Sequence, residues 1–292
     1  MTFDDSYLHS SKRDIVDNLF TRTADENYIT ARWCAMNRLQ TDFFWLGTHA
    51  LEKYMKAVLL VNGRPVKEYG HNILKLHAKI SEFAKELLPL FLNKPTVLQY
   101  EDWIVRDLQD FLGHFYRYGN PDNRYLIYGH SFRTEDLFML DQAVFAYRRL
   151  ICRLDASVIP AHHPNAPAWT NREMLKDSPK YFSYIGSSMP LCQLLKSKEK
   201  SPVRDIALDL NFCFAPSDYV HSSIELIRST RTPVLLYNVF DHLRSDDINT
   251  AKLGIELAEW TITNITIPGT IRKELMSAKE TTKKRIRHIV IK

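Results

Sequence analysis

Residues 48–63 read THALEKYMKAVLLVNG and set His49, Glu52, Lys53 and Lys56 at spacings of one, three and four. On a helix these four share a face, and Glu52 and Lys56 stand in the i,i+4 order that favours an ion pair. A face with an imidazole and two ammonium groups beside one carboxylate can meet a ligand or a second copy of the chain. It can equally be the solvated side of a core helix, because Phe43, Leu46, Ala50, Tyr54, Ala57 and Val61 form an apolar stripe at helical spacing. Both readings stay open at this stage.

Other chemistry-bearing residues are scattered. Cys34, Cys152, Cys192 and Cys213 form no Cys-x-x-Cys pair and match no zinc spacing, so they read as buried free thiols. His162-His163 lies between prolines in a linker-like stretch, a metal site there being the lesser alternative, and Asp218 with His221 reads as a helix-surface pair. The C-terminal half offers no nucleophile–base–acid set and no Gly-rich phosphate loop, so no cofactor and no metal are expected. From Arg272 to Lys292 there are eight Lys or Arg against two Glu, and the rest of the chain is nearly neutral. Such a basic tail can hold phosphate backbones or be a solvated helix end.

The elements that must position these residues are helical. The chain has 292 residues, 45% hydrophobic, with only 9 Gly, which favours helices over a turn-rich β-fold. Acids early in the N-terminal segment argue against a signal peptide, and the uncharged stretch 181–195 is too short and polar to span a bilayer. The expectation is a cytoplasmic protein with no membrane association. Helices are expected over about 25–39 (Tyr28, Ala31, Ala35 and Leu39 inside), from about Thr41 to Val61, and from His71 to Leu87. A fourth is expected over about 96–118, with Ile104, Leu108, Phe111 and Phe115 inside. A fifth opens at Thr134 and carries Leu137, Leu140, Val144, Tyr147, Ile151 and Leu154. Residues 158–168 read as a linker, so the expected organisation is a bundle over 1–157 and a mainly helical region over 169–292. In that region Thr170–Glu173 reads as a capping box. Helices are expected over 202–210, 218–227, 246–260 and from Pro268, and 234–240 reads as strand or buried helix.

The first half resembles the HEPN family, named for higher eukaryotes and prokaryotes nucleotide-binding. The match lies in His49-Ala50-Leu51-Glu52-Lys53-Tyr54-Met55-Lys56-Ala57, in Gly70-His71-Asn72-Ile73-Leu74-Lys75-Leu76, and in an aromatic helix ending at Arg117-Tyr118. It covers about residues 20–156, with His49 where Gln is usual. The resemblance implies an all-α antiparallel helical bundle, commonly a homodimer, that binds nucleotide or RNA. Many members are metal-independent ribonucleases of toxin–antitoxin and other defence systems, with Arg-x4–6-His near the last bundle helix. There a His exchanges protons with the ribose and leaving oxygen while an Arg steadies the phosphate. Arg124 and His130 stand at that spacing in the expected place. Arg64 and His71 also match it but precede the third helix. If Arg117 is the family arginine, the positions where His belongs hold Asp122, Asn123 and Arg124. Two readings follow. One is an endoribonuclease using Arg124 and His130, helped by Arg117. The other is a non-catalytic dimer presenting Lys53, Lys56 and His71 to nucleotide, RNA or a protein partner, with Tyr116, Tyr118, Tyr125 and Tyr128 near the loop as stacking candidates.

Overall fold

A computed structural model describes residues 3–98, 102–158, 169–181 and 188–290. The chain is all-α and mainly helical, with only short two-stranded pieces of sheet. It divides into two compact units, Met1–Gly119 with Phe132–Arg228, and Asn120–Ser131 with Ser229–Lys292. Most of the expected linker, residues 159–168 with His162 and His163, lies outside the described residues.

In the first unit, α1 (Phe3–Val16) runs through a π-turn at Asp17–Thr21 into α2 (Arg22–Met36). After a turn in which Arg38 takes φ +63°, α3 (Gln40–Val61) runs back along α2, and Tyr54 Oη donates to Asp25 Oδ1 at 2.7 Å. Leu39 falls in that turn and is 42% exposed, so it does not belong to the inner face expected of it. Asn62 and Gly63 end α3, with Gly63 at φ +72°. α4 (Ile73–Ala84) starts at Asn72, whose Oδ1 accepts from the amides of Leu74 and Lys75.

The fourth expected helix is shorter than its periodicity suggested. β1 (Phe91–Leu92) pairs antiparallel with β2 (Arg106–Asp107), and only then does α5 (Leu108–Tyr118) begin. Asp107 caps it by accepting from the Asp110 amide at 2.7 Å. Ile104 shares the spacing of Leu108, Phe111 and Phe115 but precedes the cap, and it is 41% exposed. Its spacing was a coincidence of an extended segment. Gly119 closes α5 against α3, where an added Cβ would fall inside the Thr48 hydroxyl and the Phe44 carbonyl.

α6 (Thr134–Arg149) completes the bundle core. Ala50, Tyr54, Ala57, Phe111, Val144 and Tyr147 are fully buried, and Leu108 and Ile151 nearly so. Burying each large apolar side chain contributes about 1.5–3 kcal/mol before entropy is counted. β4 (Ser157–Val158) pairs antiparallel with β5 (Trp169–Thr170), which leads into α7 (Asn171–Asp177) through the Thr170–Glu173 capping box. α8 (Pro190–Lys196) and α9 (Pro202–Leu208) follow. Residues 218–227 form no helix. Ile227 instead donates its amide to Thr134 Oγ1 and accepts from the Thr134 amide, which takes up backbone groups a helix would need. His221 Nδ1 accepts from the Leu210 amide at 3.0 Å and faces Asp209 at 3.8 Å, so the expected pairing with Asp218 gives way to one across the loop.

Two buried ionic groups hold this unit together. Asp25, fully buried, accepts from Tyr54, from Arg148 Nε at 3.1 Å and from the Leu191 amide at 3.1 Å. Asp141 accepts from Tyr28 and from fully buried Arg32, which also donates to the carbonyls of Ile206 and Asp209. In these two groups both carboxylates are matched by donors, as burial demands.

The second unit is built on π-helical Leu236–Phe240, α10 (Asp241–Arg244), α11 (Ile248–Asn264) and α12 (Gly269–Val290), and so the run 234–240 is helical and not a strand. The core is Ile127, Leu235, Val239, Leu243, Ala258 and Leu275. Gly254 lets the α10 backbone approach α11, since a Cβ there would lie 2.6 Å from the Leu243 amide nitrogen. The basic tail is partly structural. Arg285 donates to the carbonyls of Leu243 and Arg244 at 3.0 and 3.1 Å, and Lys279 and Lys283 pair with Glu259.

Candidate functional site

α3 puts Glu52 one turn from both His49 and Lys56, and the stop after Gly63 lets the chain return so that His71 reaches the same carboxylate at the start of α4. Glu52 is only 5% exposed. Lys56 Nζ lies 2.6 Å from Glu52 Oε1, His71 Nδ1 lies 3.0 and 3.1 Å from the two carboxylate oxygens, and His49 Nδ1 lies 3.8 Å from Oε2. Next to Glu52 in the chain, Lys53 Nζ donates to Asn27 Oδ1 at 2.6 Å and reaches the Thr23 carbonyl at 3.5 Å. Burial pushes the pKa of His49 and of Lys53 down, against the pull of Glu52 in the other direction. The edge of the Trp45 ring packs against His49 at 4.2 Å.

The polar side of α3 is therefore not a simple solvated face. A nearly buried carboxylate gathers two imidazoles and an ammonium, and a second ammonium stands beside them. A carboxylate only accepts, so His71 Nδ1 carries the proton that it shares with Glu52. Its Nε2 is left on a side chain that is 75% exposed, able to accept or give a proton or to face a phosphate oxygen. The sequence reading named Lys53, Lys56 and His71, and the structure brings Lys56 and His71 onto one carboxylate with Lys53 adjoining. That Glu52 is the hub went unread; the signal was an acid sitting between His49 and Lys56 near an apolar stripe.

The Arg/His candidates are placed differently. Arg117 is exposed near the end of α5 in the first unit, its guanidinium 5.8 Å from the Tyr118 ring centre. Arg124 falls in the 3-10 turn Pro121–Tyr125 of the second unit, and its side chain lies outside the described residues. His130 opens β3 (His130–Arg133), is 4% exposed, and has its pKa pushed down by burial and then by Arg231. The loop between them is closed by Asn123, which donates to the Gly129 carbonyl and accepts from the Tyr128 amide, both at 2.8 Å. Tyr125 is 66% exposed, while Tyr116, Tyr118 and Tyr128 are half-buried.

Among the described residues, no group of three or more His, Cys, Asp or Glu is placed to hold a metal ion, and no helix is long and apolar enough to cross a membrane. All four cysteines are free thiols. No protein-family model, curated protein or solved structure matches the chain.

Proposed function

We propose that this chain is a HEPN-like protein that binds nucleotide or RNA as a homodimer, and that the α3–α4 edge is where phosphate is met. The observation that supports this best is the gathering of Lys56, His71 and His49 on the nearly buried Glu52, with Lys53 beside them. Lysines bind phosphate as point charges, and an imidazolium held through Nδ1–H on Glu52 donates Nε2–H to the same oxygens. The HEPN resemblance of residues 49–57 and 70–76 falls on these same side chains. The test is fluorescence anisotropy with labelled single-stranded RNA and with nucleotides. Replacing Lys53 and Lys56 by Ala should weaken binding at least about tenfold, as loss of charge-assisted contacts does. Unchanged affinity would remove this edge from the reading.

The second reading, a metal-independent endoribonuclease, draws support from the Glu52–His71 pair. A histidine held by a carboxylate and exposed at its far nitrogen is equipped to move a proton to or from a ribose 2′-OH. Cleavage in excess EDTA leaving a cyclic phosphate is its signature. His71→Ala and His130→Ala, assayed side by side, assign the catalytic histidine. Absence of any cleavage leaves the binding reading alone.

A further inference from the structure

A cleft of about 560 Å³ lies in the first unit between α1, the C-terminal end of α3 and the segment that follows α6. Val16, Leu60 and Leu154 give it an apolar floor, and Lys12, Arg13 and Arg153 supply three positive charges. Arg13 is fixed in place. Its Nε pairs with Asp17 Oδ2 at 2.7 Å and its Nη1 donates to the Ile151 carbonyl at 3.1 Å. Its Nη2 is buried and has no hydrogen-bond partner among the described residues. A buried guanidinium nitrogen left without an acceptor is costly.

The neighbouring groups narrow the ligand. Lys12 and Arg153 are exposed and have no ion pair among the described residues. Asp155 also lines the cleft, but its carboxylate is held by Arg172 at 3.0 Å. The Asn62 side chain is spent on the Val58 and Cys152 carbonyls and on the Leu154 amide. Recognition therefore falls to the three cations and the apolar floor. A phosphomonoester carries about −1.5 to −2 charges and three acceptor oxygens, which suits three cations better than a single carboxylate does. The volume falls within the roughly 300–1,000 Å³ of small-molecule sites and exceeds what a bare phosphate fills.

We propose that this cleft binds a small phosphomonoester, its phosphate on Arg13, Lys12 and Arg153 and its apolar or aromatic body against Val16, Leu60 and Leu154. The site shares no residue with the α3–α4 edge and stands or falls separately from it.

The test is isothermal titration calorimetry of the full chain with phenyl phosphate, with inorganic phosphate, benzoate and phenol as comparisons. Phenyl phosphate should bind saturably and more tightly than the other three. Lys12→Ala with Arg153→Ala, both exposed and without an ion pair among the described residues, should lower that affinity at least about tenfold. Arg13→Lys, which keeps a charge for Asp17 but removes the fork, should lower it as well. No saturable binding at millimolar phenyl phosphate, or undiminished binding in the Lys12/Arg153 variant, would overturn the proposal. Benzoate binding as tightly would overturn the phosphate assignment, and inorganic phosphate binding as tightly would overturn the apolar floor.

Discussion

His71 Nδ1 lies 3.0 Å from Glu52 Oε1, although the two residues are nineteen apart in the chain, one within α3 and the other in the turn before α4. The contact is possible because α3 ends at Asn62–Gly63 and α4 begins at Asn72, so the start of one helix returns beside the other. Glu52 is nearly buried and His71 largely exposed, which makes the carboxylate the fixed member of the pair and the imidazole the presented one. Glu52→Gln keeps the shape but removes the charge that holds Lys56 and His71. It should cost about 1–2 kcal/mol in urea unfolding, at the low end for hydrogen bonds to charged groups because His71 is solvated. A cost within error of zero would mean the cluster is not held by that charge.

The Asp25–Arg148 pair gives a larger effect. Both side chains are at or near full burial, and Asp25 also serves Tyr54 and the Leu191 amide. Arg148→Met alone should destabilise by about 3–5 kcal/mol, because it strands a buried carboxylate. Arg148→Met with Asp25→Asn should recover part of that loss. If the double variant is no more stable than the single one, the stranded charge is not the cause.

Two apolar positions on one apparent stripe should behave differently. Phe111→Ala, in the core, should cost about 3–5 kcal/mol. Ile104→Ala, ahead of the Asp107 cap, should stay within about 0.5 kcal/mol, as exposed substitutions do. Equal costs, read from urea midpoints, would place Ile104 back in the helix.

Burial pushes the pKa of His49, His77 and His130 below the ordinary 6.5. As pH falls through 6.5 the unfolded chain takes up protons that these folded imidazoles do not. Stability is then fully present above that pH and declines toward the lowered folded values. Urea midpoints should drop between about pH 7.5 and about pH 5.5. His77→Gln, which leaves a donor for the 2.7 Å contact with Tyr147 Oη, should flatten part of the slope. A midpoint that rises on acidification would contradict the assigned direction.

Burial also raises the Cys34 and Cys152 thiols to about 11. Because the thiolate is the reactive form, both should alkylate slowly in the native protein near neutral pH and rapidly after unfolding in guanidinium. Fast native labelling at either position, mapped by mass spectrometry, would show that the site opens.

The sequence by itself determined the elements with strong local signals. Spacings of three and four fixed α3, α4 and α6, the Thr170 capping box fixed one helix start, and the Glu52–Lys56 ion pair follows from one turn of helix. Local signals failed where a nonlocal partner claimed the backbone. Residues 218–227 give up a helix to bond Thr134, and Ile104 leaves its stripe because residues 106 and 107 pair with 91 and 92. The Lys53–Lys56–His71 grouping was legible only as three residue types, and the cleft around Arg13 not at all. Arg13, Asn62 and Arg153 come from three distant segments, and nothing periodic links them. Tertiary structure alone decided that Glu52 is buried, that Arg13 Nη2 lacks an acceptor among the described residues and that His130 is enclosed. Burial and unmet hydrogen-bonding capacity depend on which segments pack together, and no window of neighbouring residues contains that information.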